Sequence, residues 1–597
     1  MSPDALTADI SRQVWETKYR FRDGGGERTI EETRLRVARA IAAAERDAAW
    51  ESRFYAALAD FRFLPGGRIL AGAGTGRRVT LFNCFVMGRI EDSIDGIFDA
   101  IKEGALTMQQ GGGVGYDFST LRPRGSVARS GGGVASGPVS FMRIWDATCA
   151  TLLSTGARRG AMMATLRCDH PDILTFIEAK QRPGELRNFN LSVLVTDDLM
   201  RAVDADADWA LVFPSTANDG EVVMRRCGSP EPIPCRVHAR LRARELWDRL
   251  MRATYRHAEP GVLFIDRINR LNNLHYREQI SATNPCGEIP LPPYGACNLG
   301  SLNLVAFVRD PFSANAALDF EALEAATRTA VRMLDDVIDV SRFPLERQAE
   351  VARGSRRIGL GITGLADALI MLGRHYADAD ARELAAGAMR TICHAAYRCS
   401  IELAREKGAF PFFERERYLA GAFIASLPQD IRDGIARDGI RNSHLTAIAP
   451  TGTISLLANN VSSGIEPVYG FRHRRRMLEL DGTAVEHDLA DYALERWREL
   501  RAEQPLPANF VTALDLPPAA HLEMQAALQP HVDNSISKTI NVPAEFPFEQ
   551  FKGIYREAFE RGLKGCTTYR ANPTTGAVLE PLGDGASLCC SPDREAD

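Results

Sequence analysis

The 597-residue chain has twelve cysteines but no Cys-x-x-Cys pair, and the vicinal Cys589 and Cys590 lack nearby partners for a four-ligand site, so no metal centre is expected. No run of eighteen or more apolar residues occurs, and the amino-terminal MSPDALTADISRQVWETKYRF has no apolar signal core. The sequence therefore reads as a soluble, cytoplasmic protein with no membrane partner, whose thiols are mostly reduced. An excess of positive charge is also missing: 72 basic side chains face 77 acidic ones, for a net charge of -5. That balance excludes a polybasic nucleic-acid binder, and 45% hydrophobic residues exclude a disordered chain. Any polyanionic ligand must be held locally. No G-x-x-x-x-G-K-[ST] occurs, and the glycine run GGGVG continues as Tyr116, Asp117, Phe118, so it does not complete G-x-G-x-x-G.

What is present suggests an α/β protein. Residues 27 to 60 place Ile30, Leu35, Val37 and Ile41 at helical spacing among charges, an amphipathic helical segment. Glycine-rich stretches at 64–76, 109–118 and 130–138 alternate with apolar runs such as VTLFNCFVM, as expected for strands whose loops approach a ligand closely. Farther on, helical patterns such as LEAATRTAVRMLDDVIDV alternate with short β-like runs such as HLTAIAP. The APTGTISL stretch (449–456) could aim backbone N–H groups at a phosphate, although composition alone favours a plain turn. The last 25 or so residues have almost no apolar periodicity and read as a mobile tail. Cys149, Cys168, Cys393 and Cys399 read as small buried hydrophobes, with Cys227 and Cys235 unassigned.

The stretch SATNPCGEIPLPPYGACNLGSLNL (281–304) sets two cysteines eleven positions apart among proline, glycine and asparagine. Together with NCFVMGRIEDSIDGI, GGGVGYDFSTLRPRGS, GARRGAMMATLRCDHPDILTFI, APTGTISLLANNVSSGIEPVY and KGCTTYR, in this order, it resembles the catalytic chain of ribonucleotide reductase. The resemblance covers roughly residues 10 to 570. It implies a ten-stranded α/β barrel of two five-stranded halves, with a central finger loop carrying the radical cysteine and a helical segment ahead of it. The expected divisions are a helical segment at 1–60, the barrel with its effector and dimer region at 61–570, and a flexible tail with a cysteine pair at 571–597.

Roles follow by the same resemblance. Cys286 becomes a thiyl radical that takes the ribose 3′ hydrogen, Glu288 is the base for the 3′ hydroxyl, and Asn284 orients the sugar. Cys84 and Cys297 supply two electrons and close a disulfide at each turnover. Asn83, Gly113, Pro285 and Gly287 line the substrate, and Pro450, Thr451, Gly452, Thr453 and Ile454 grip its phosphates. The Pro65-Gly66-Gly67 run stands where many relatives carry serine, so a backbone contact is expected there. Asp92, Ser93, Ile94, Arg122 and Arg129 match a site for deoxynucleoside triphosphate effectors at a homodimer interface. The short amino-terminal stretch implies specificity control without an overall on/off switch. Cys589 and Cys590 match a tail pair that is reduced by a thioredoxin-like protein; relatives usually separate the two.

None of the thirteen tyrosines neighbours another, and the tail has no glycyl-radical motif. The resemblance is accordingly to the adenosylcobalamin-dependent class, which cleaves a cobalt to carbon bond to start the radical. The alternatives are the large subunit of an oxygen-dependent reductase and a nucleotide-binding regulatory protein without catalysis. An intact Asn284, Cys286 and Glu288 argues against the latter. Diphosphate substrates are favoured by the resemblance over triphosphates.

Overall fold

The computed structural model describes residues 6–127, 133–152, 160–182, 184–215, 220–224, 231–478, 484–502, 504–570 and 579–581. Arg129, Cys227, Cys589, Cys590 and residues 153–159, which include the start of the GARRGAMMATL stretch, lie outside the described residues.

The expected amphipathic segment forms two helices. Thr29 starts the first, Ile30–Ala42, with a capping box: its hydroxyl accepts from Glu32 N while the Glu32 carboxylate reaches back to Thr29 N. Ile30, Val37, Ala38 and Ile41 are its buried stripe, and they pack toward Ala49–Leu58 and the long helix Phe320–Val340. That long helix covers the expected LEAATRTAVRMLDDVIDV run. The first layer is locked to it by Arg332, which donates to Glu45 Oε2 at 2.6 Å and lies over the Trp50 ring at 4.1 Å.

The main sheet has ten strands: β1 (Phe63–Pro65), β2 (Cys84–Val86), β3 (Gly113–Asp117), β4 (Met162–Arg167), β5 (Phe189–Val195), β6 (Gly261–Phe264), β7 (Ala296–Asn303), β8 (Ile358–Thr363), β9 (Thr539–Val542) and β10 (Gly565–Arg570). Their order is β1-β7-β2-β3-β4-β5-β6-β10-β9, with β8 also beside β7. β2 to β6 run parallel to one another. Antiparallel joints flank that set, β7 on β2 and β10 on β6, while β7 with β8 and β9 with β10 are parallel pairs. β4, β7 and β8 are buried along their whole length, as strands are when both faces are covered. The HLTAIAP run forms no full strand, yet it bridges Thr446 to Leu360 of β8 and Ile448 to Ile536, just ahead of β9. Among the described residues no helix is long and apolar enough to cross a membrane.

The run GLGITG at 359–364 completes G-x-G-x-x-G, spanning strand β8 and Gly364, which caps the helix Leu365–Met371. Its middle glycine serves packing: a Cβ on Gly361 would sit 2.2 Å from Ala447 O.

A short hairpin, Ala282–Thr283 paired with Pro290–Leu291, is pressed against β3 and β4. Thr283 O comes so near Gly115 of β3 that a Cβ there would lie 1.9 Å from it, and Thr165 Oγ1 of β4 donates to Ser281 O at 2.8 Å.

Candidate active site

The turn of that hairpin, residues 284–289, carries the chemistry. Proline at 285 and a glycine at 287 with φ +83 bend the chain sharply, and Gly287 N donates to Asn284 O at 3.1 Å. Asn190 of β5 holds the tip by donating to Pro285 O at 2.8 Å. Cys286 is thereby set, partly exposed, on the wall of a cavity of about 330 Å³, with Pro285 and Gly287 beside it.

Behind the tip, the side chains face an apolar pocket. Asn284 accepts from Ile289 N at 3.0 Å and donates from Nδ2 to Cys84 Sγ at 3.1 Å. Glu288 is 1% exposed, and its Oε1 accepts from the Cys84 thiol at 3.8 Å. Burial pushes the Glu288 carboxyl up to about 7, against the hydrogen bonds from Asn284 and Cys84, and its Oε2 has no partner among the described residues. Such a group exchanges its proton near neutral pH.

Cys84 and Cys297 are directly opposed in the antiparallel β2/β7 ladder. Opposed residues of that kind have Cα atoms about 4.5 to 5.5 Å apart, within the range a disulfide spans. Both thiols are buried; burial pushes each well above the ordinary thiol value, the Glu288 charge adding to the effect, so both stay protonated. Asn83 and Gly113 meet behind the tip: Gly113 N donates to Asn83 O at 2.8 Å, and the Pro285 ring lies 3.2 Å from the position of a Gly113 Cβ. Gly66 N donates to Leu299 O of β7 at 2.8 Å.

Across the cavity, Pro450 and Gly452 line the wall. Thr451, at φ +54, precedes the helix Gly452–Leu457, and its hydroxyl is engaged within the protein, 2.9 Å from Thr363 Oγ1 and accepting from Gly464 N at 2.8 Å. Thr453 accepts from Lys18 Nζ at 3.4 Å, and Ile454 is buried.

At a distance from the cavity, Asp92, Ser93, Ile94 and Arg122 come together. Arg122 Nε donates to Asp92 Oδ2 at 2.8 Å, and Ser93 caps the helix Ile94–Gln109 by accepting from Gly96 N at 3.0 Å. Ile94, Phe98 and Leu106, at helical spacing, are all exposed on that helix. The acidic group Asp335, Asp336 and Asp339 is ion-paired to Arg356, Lys407 and Arg441.

The cavity also holds residues to which no role was given in the sequence. Asn190 and Ser192 are polar positions two apart in the otherwise apolar β5, a legible sign that one face of the strand meets something polar. Lys538 is buried, ion-paired to Glu466 and donating to His521 Nδ1 at 2.9 Å, while Ser462, Ser463 and Cys566 complete the wall. The NNVSSGIEP and KGCTTYR segments carry several of these. Cys149, Cys168, Cys393 and Cys399 are buried, as is Cys235.

The opposed thiols give a test that needs no ligand. A mild oxidant should form an intramolecular Cys84 to Cys297 disulfide, faster at alkaline pH, read by peptide mass mapping and lost in Cys84→Ser. Oxidation that leaves both residues alkylatable while linking other cysteines would contradict the register.

The ribonucleotide reductase barrel-domain family matches residues 82–569, and the ribonucleotide reductase all-alpha domain matches residues 6–78. Among relatives, the chain is 41% identical over 569 residues to a vitamin B12-dependent ribonucleoside-diphosphate reductase of Mycobacterium tuberculosis (strain CDC 1551 / Oshkosh), covering 91% of this chain and 76% of the relative. It is 38% identical over 546 residues to the enzyme of that name from Thermoplasma acidophilum, covering 88% and 66%. A ribonucleoside-diphosphate reductase subunit alpha of Chlamydia muridarum is 26% identical over 634 residues, covering 95% and 59%. With both family domains in sequence and the greater identity to the vitamin B12-dependent relatives, the chain belongs to the ribonucleotide reductase family.

Proposed function

We propose that this chain reduces ribonucleoside diphosphates to 2′-deoxyribonucleotides for DNA synthesis in the cytoplasm, by a thiyl-radical route that depends on adenosylcobalamin. The observation that carries the reading is the stacking of parts: Cys286 on the cavity wall, Glu288 and Asn284 behind it, and the opposed Cys84 and Cys297 next to both.

Of these three cysteines only Cys286 is not buried, so it alone can be met by a group entering from the cavity. That fits adenosylcobalamin, which when bound supplies an organic radical; Pro285, Cys286 and Gly287 are the residues it would meet. The chain's own residues do the rest. The Cys286 sulfur takes the 3′ hydrogen atom, and Glu288 accepts the 3′ hydroxyl proton, for which a carboxyl near pH 7 is well suited. Asn284 orients the sugar and keeps the Cys84 thiol directed at the site. The 2′ hydroxyl leaves as water, and Cys84 and Cys297 together give up two electrons and two protons as their S–S bond forms. Pro450 to Ile454 bind the phosphates, Pro450 and Gly452 from the cavity wall. Asn83 and Gly113 back the hairpin.

We further infer that the two bridges close the sheet into a barrel. β2 to β6 form one five-stranded half; β7, β8, the 446–448 segment, β9 with its lead-in, and β10 form the other. The hairpin is then the central finger. Asp92, Ser93, Ile94, Arg122 and Arg129 would bind a deoxynucleoside triphosphate effector, and the exposed Ile94, Phe98 and Leu106 would be covered in a homodimer. Cys589 and Cys590 would relay electrons from a thioredoxin-like protein. Residues Leu579–Pro581 pair with the strand Arg472–Leu478, whose His473 lines the same cavity as Cys286, and this supports a tail that reaches the site.

The purified chain should reduce a ribonucleoside diphosphate when given adenosylcobalamin and a dithiol, and without any metal-containing second subunit. Activity restored to a cobalamin-free preparation by a di-iron or di-manganese subunit would instead establish the oxygen-dependent alternative. The rate should rise with pH through about 7 as Glu288 loses its proton, and Glu288→Gln should be slower by about 10²-fold or more, with that limb gone. Because the folded-state value lies above the ordinary 4.5, ionising Glu288 costs stability as pH rises through that window, and Glu288→Gln should gain in relative stability above it. A wild-type limb preserved in the variant would remove Glu288 from the role.

A further inference from the structure

Two aspartates lie at the cavity, Asp491 among its lining residues and Asp367 behind Ser462, and the chemistry above uses neither. Asp367, on the helix Leu365–Met371, is 0% exposed, and Asp491, which precedes Tyr492–Arg501, is 3% exposed. Both carboxyl groups sit on neighbouring N–H groups of one helix start, Asp367 accepting from Ala493 N and Asp491 from Leu494 N. Two ionised carboxylates so placed offer only acceptors and repel in a buried setting, so one of them holds a proton. Burial pushes both carboxyl groups up, Asp491 well above the ordinary value.

The remaining hydrogen bonds show which partner keeps the proton. Both Asp367 oxygens accept main-chain N–H groups, Oδ2 from Ser462 at 2.5 Å and Oδ1 from Ala493 at 3.0 Å. Asp491 accepts only one such bond, from Leu494 N to Oδ1 at 3.2 Å. Asp367, with more donors on its oxygens, is therefore the carboxylate, and Asp491 the partner that keeps the proton.

Ser462 is gripped at every polar atom. Its N donates to Asp367, its Oγ accepts from Asp367 N at 3.2 Å, and its O accepts from Gly364 N at 2.7 Å and Thr363 Oγ1 at 3.1 Å. Ser463 is fixed in turn by a 3.0 Å contact between its hydroxyl and that of Ser455. Ser462 and Ser463 form the cavity wall beside Gly452, and Gly464 N bonds Thr451 Oγ1, so this loop and the 450–454 turn are one hydrogen-bonded unit.

We infer that Asp367, with Asp491 as its proton-bearing partner, is a positioning residue that sets the Ser462–Ser463 wall of the cavity for substrate binding. The inference rests on the reading of the cavity as a ribonucleotide site. Asp367 does not line the cavity; a prearranged wall lowers the ordering cost of binding, so its effect belongs in affinity rather than in the chemical step.

The asymmetry of the pair makes the test specific. Asp491→Asn keeps a donor facing Asp367, whereas Asp491→Leu has similar bulk and no donor. Asp367→Asn would turn an amide N–H toward either Ser462 N or Ala493 N, donor against donor. Binding of radiolabelled ADP, CDP, GDP and UDP is measured by equilibrium dialysis on the full chain, with KM and kcat for the nucleotide that binds best. Asp367→Asn and Asp491→Leu should each weaken binding and raise KM at least fivefold with kcat changed less than threefold, while Asp491→Asn binds at least threefold better than Asp491→Leu. If Asp367→Asn fails to fold, Asp367→Glu, which keeps the acceptors but displaces them from Ser462 N, decides, with the same rise in KM at kept kcat expected. Equal affinities for Asp491→Asn and Asp491→Leu, or a loss carried by kcat, would overturn the inference. Wild-type protein that bound none of the four nucleotides would instead overturn the ribonucleotide reading of the cavity.

Discussion

The approach of Thr283 O to the backbone of β3 is the constraint on which the rest of the site depends. It exists only because residue 115 has no side chain; a methyl group there would meet the carbonyl at 1.9 Å. Inserting such a group into a packed interior typically costs about 1 to 3 kcal/mol, and here it would push the hairpin away from the sheet. With the hairpin seated, three independent contacts fix it: Thr165 to Ser281 at its base, and Asn190 to Pro285 and Ser535 N to Glu288 O at 2.9 Å at its tip. A sulfur is thus held at a cavity in the interior without belonging to any strand of the sheet.

The same seating creates the electrostatic character of the site. Glu288 is raised because the hairpin carries it into an apolar pocket with few donors, and Cys84 and Cys297 are raised because they share that pocket. One environment therefore yields a carboxyl that can exchange a proton near neutrality and two thiols that keep theirs. Asp367 and Asp491 follow the same rule on the opposite wall, where burial forces two acids to hold one proton between them.

Much of this was legible in the sequence, and the reasons differ by element. The helix at 30–42 declared itself by 3.6-residue periodicity, which survives because it buries one stripe, with Leu35 of the expected pattern left exposed; the helix at 320–340 is buried all round from 330 to 338. The Pro-Cys-Gly turn declared itself by residue types that regular structure excludes. The partners of that turn did not, because Gly115, Asn190 and Ser535 approach it from three distant parts of the chain, and contact at such separations leaves no local pattern. GLGITG at 359–364 has a phosphate-loop spacing, and its middle glycine packs against Ala447 O. The Asp367 and Asp491 pair was likewise invisible, since two ordinary acids 124 positions apart signal nothing until the fold buries them together.

The central claim is that the three site cysteines divide into one hydrogen-abstracting sulfur and one reducing pair. The measurement that tests it most directly is release of tritium from a 3′-labelled ribonucleoside diphosphate, compared between Cys286→Ser and Cys297→Ser in the presence of adenosylcobalamin. The account predicts no release above background from Cys286→Ser and clear release without clean deoxynucleotide formation from Cys297→Ser. Equal release from both variants would contradict it.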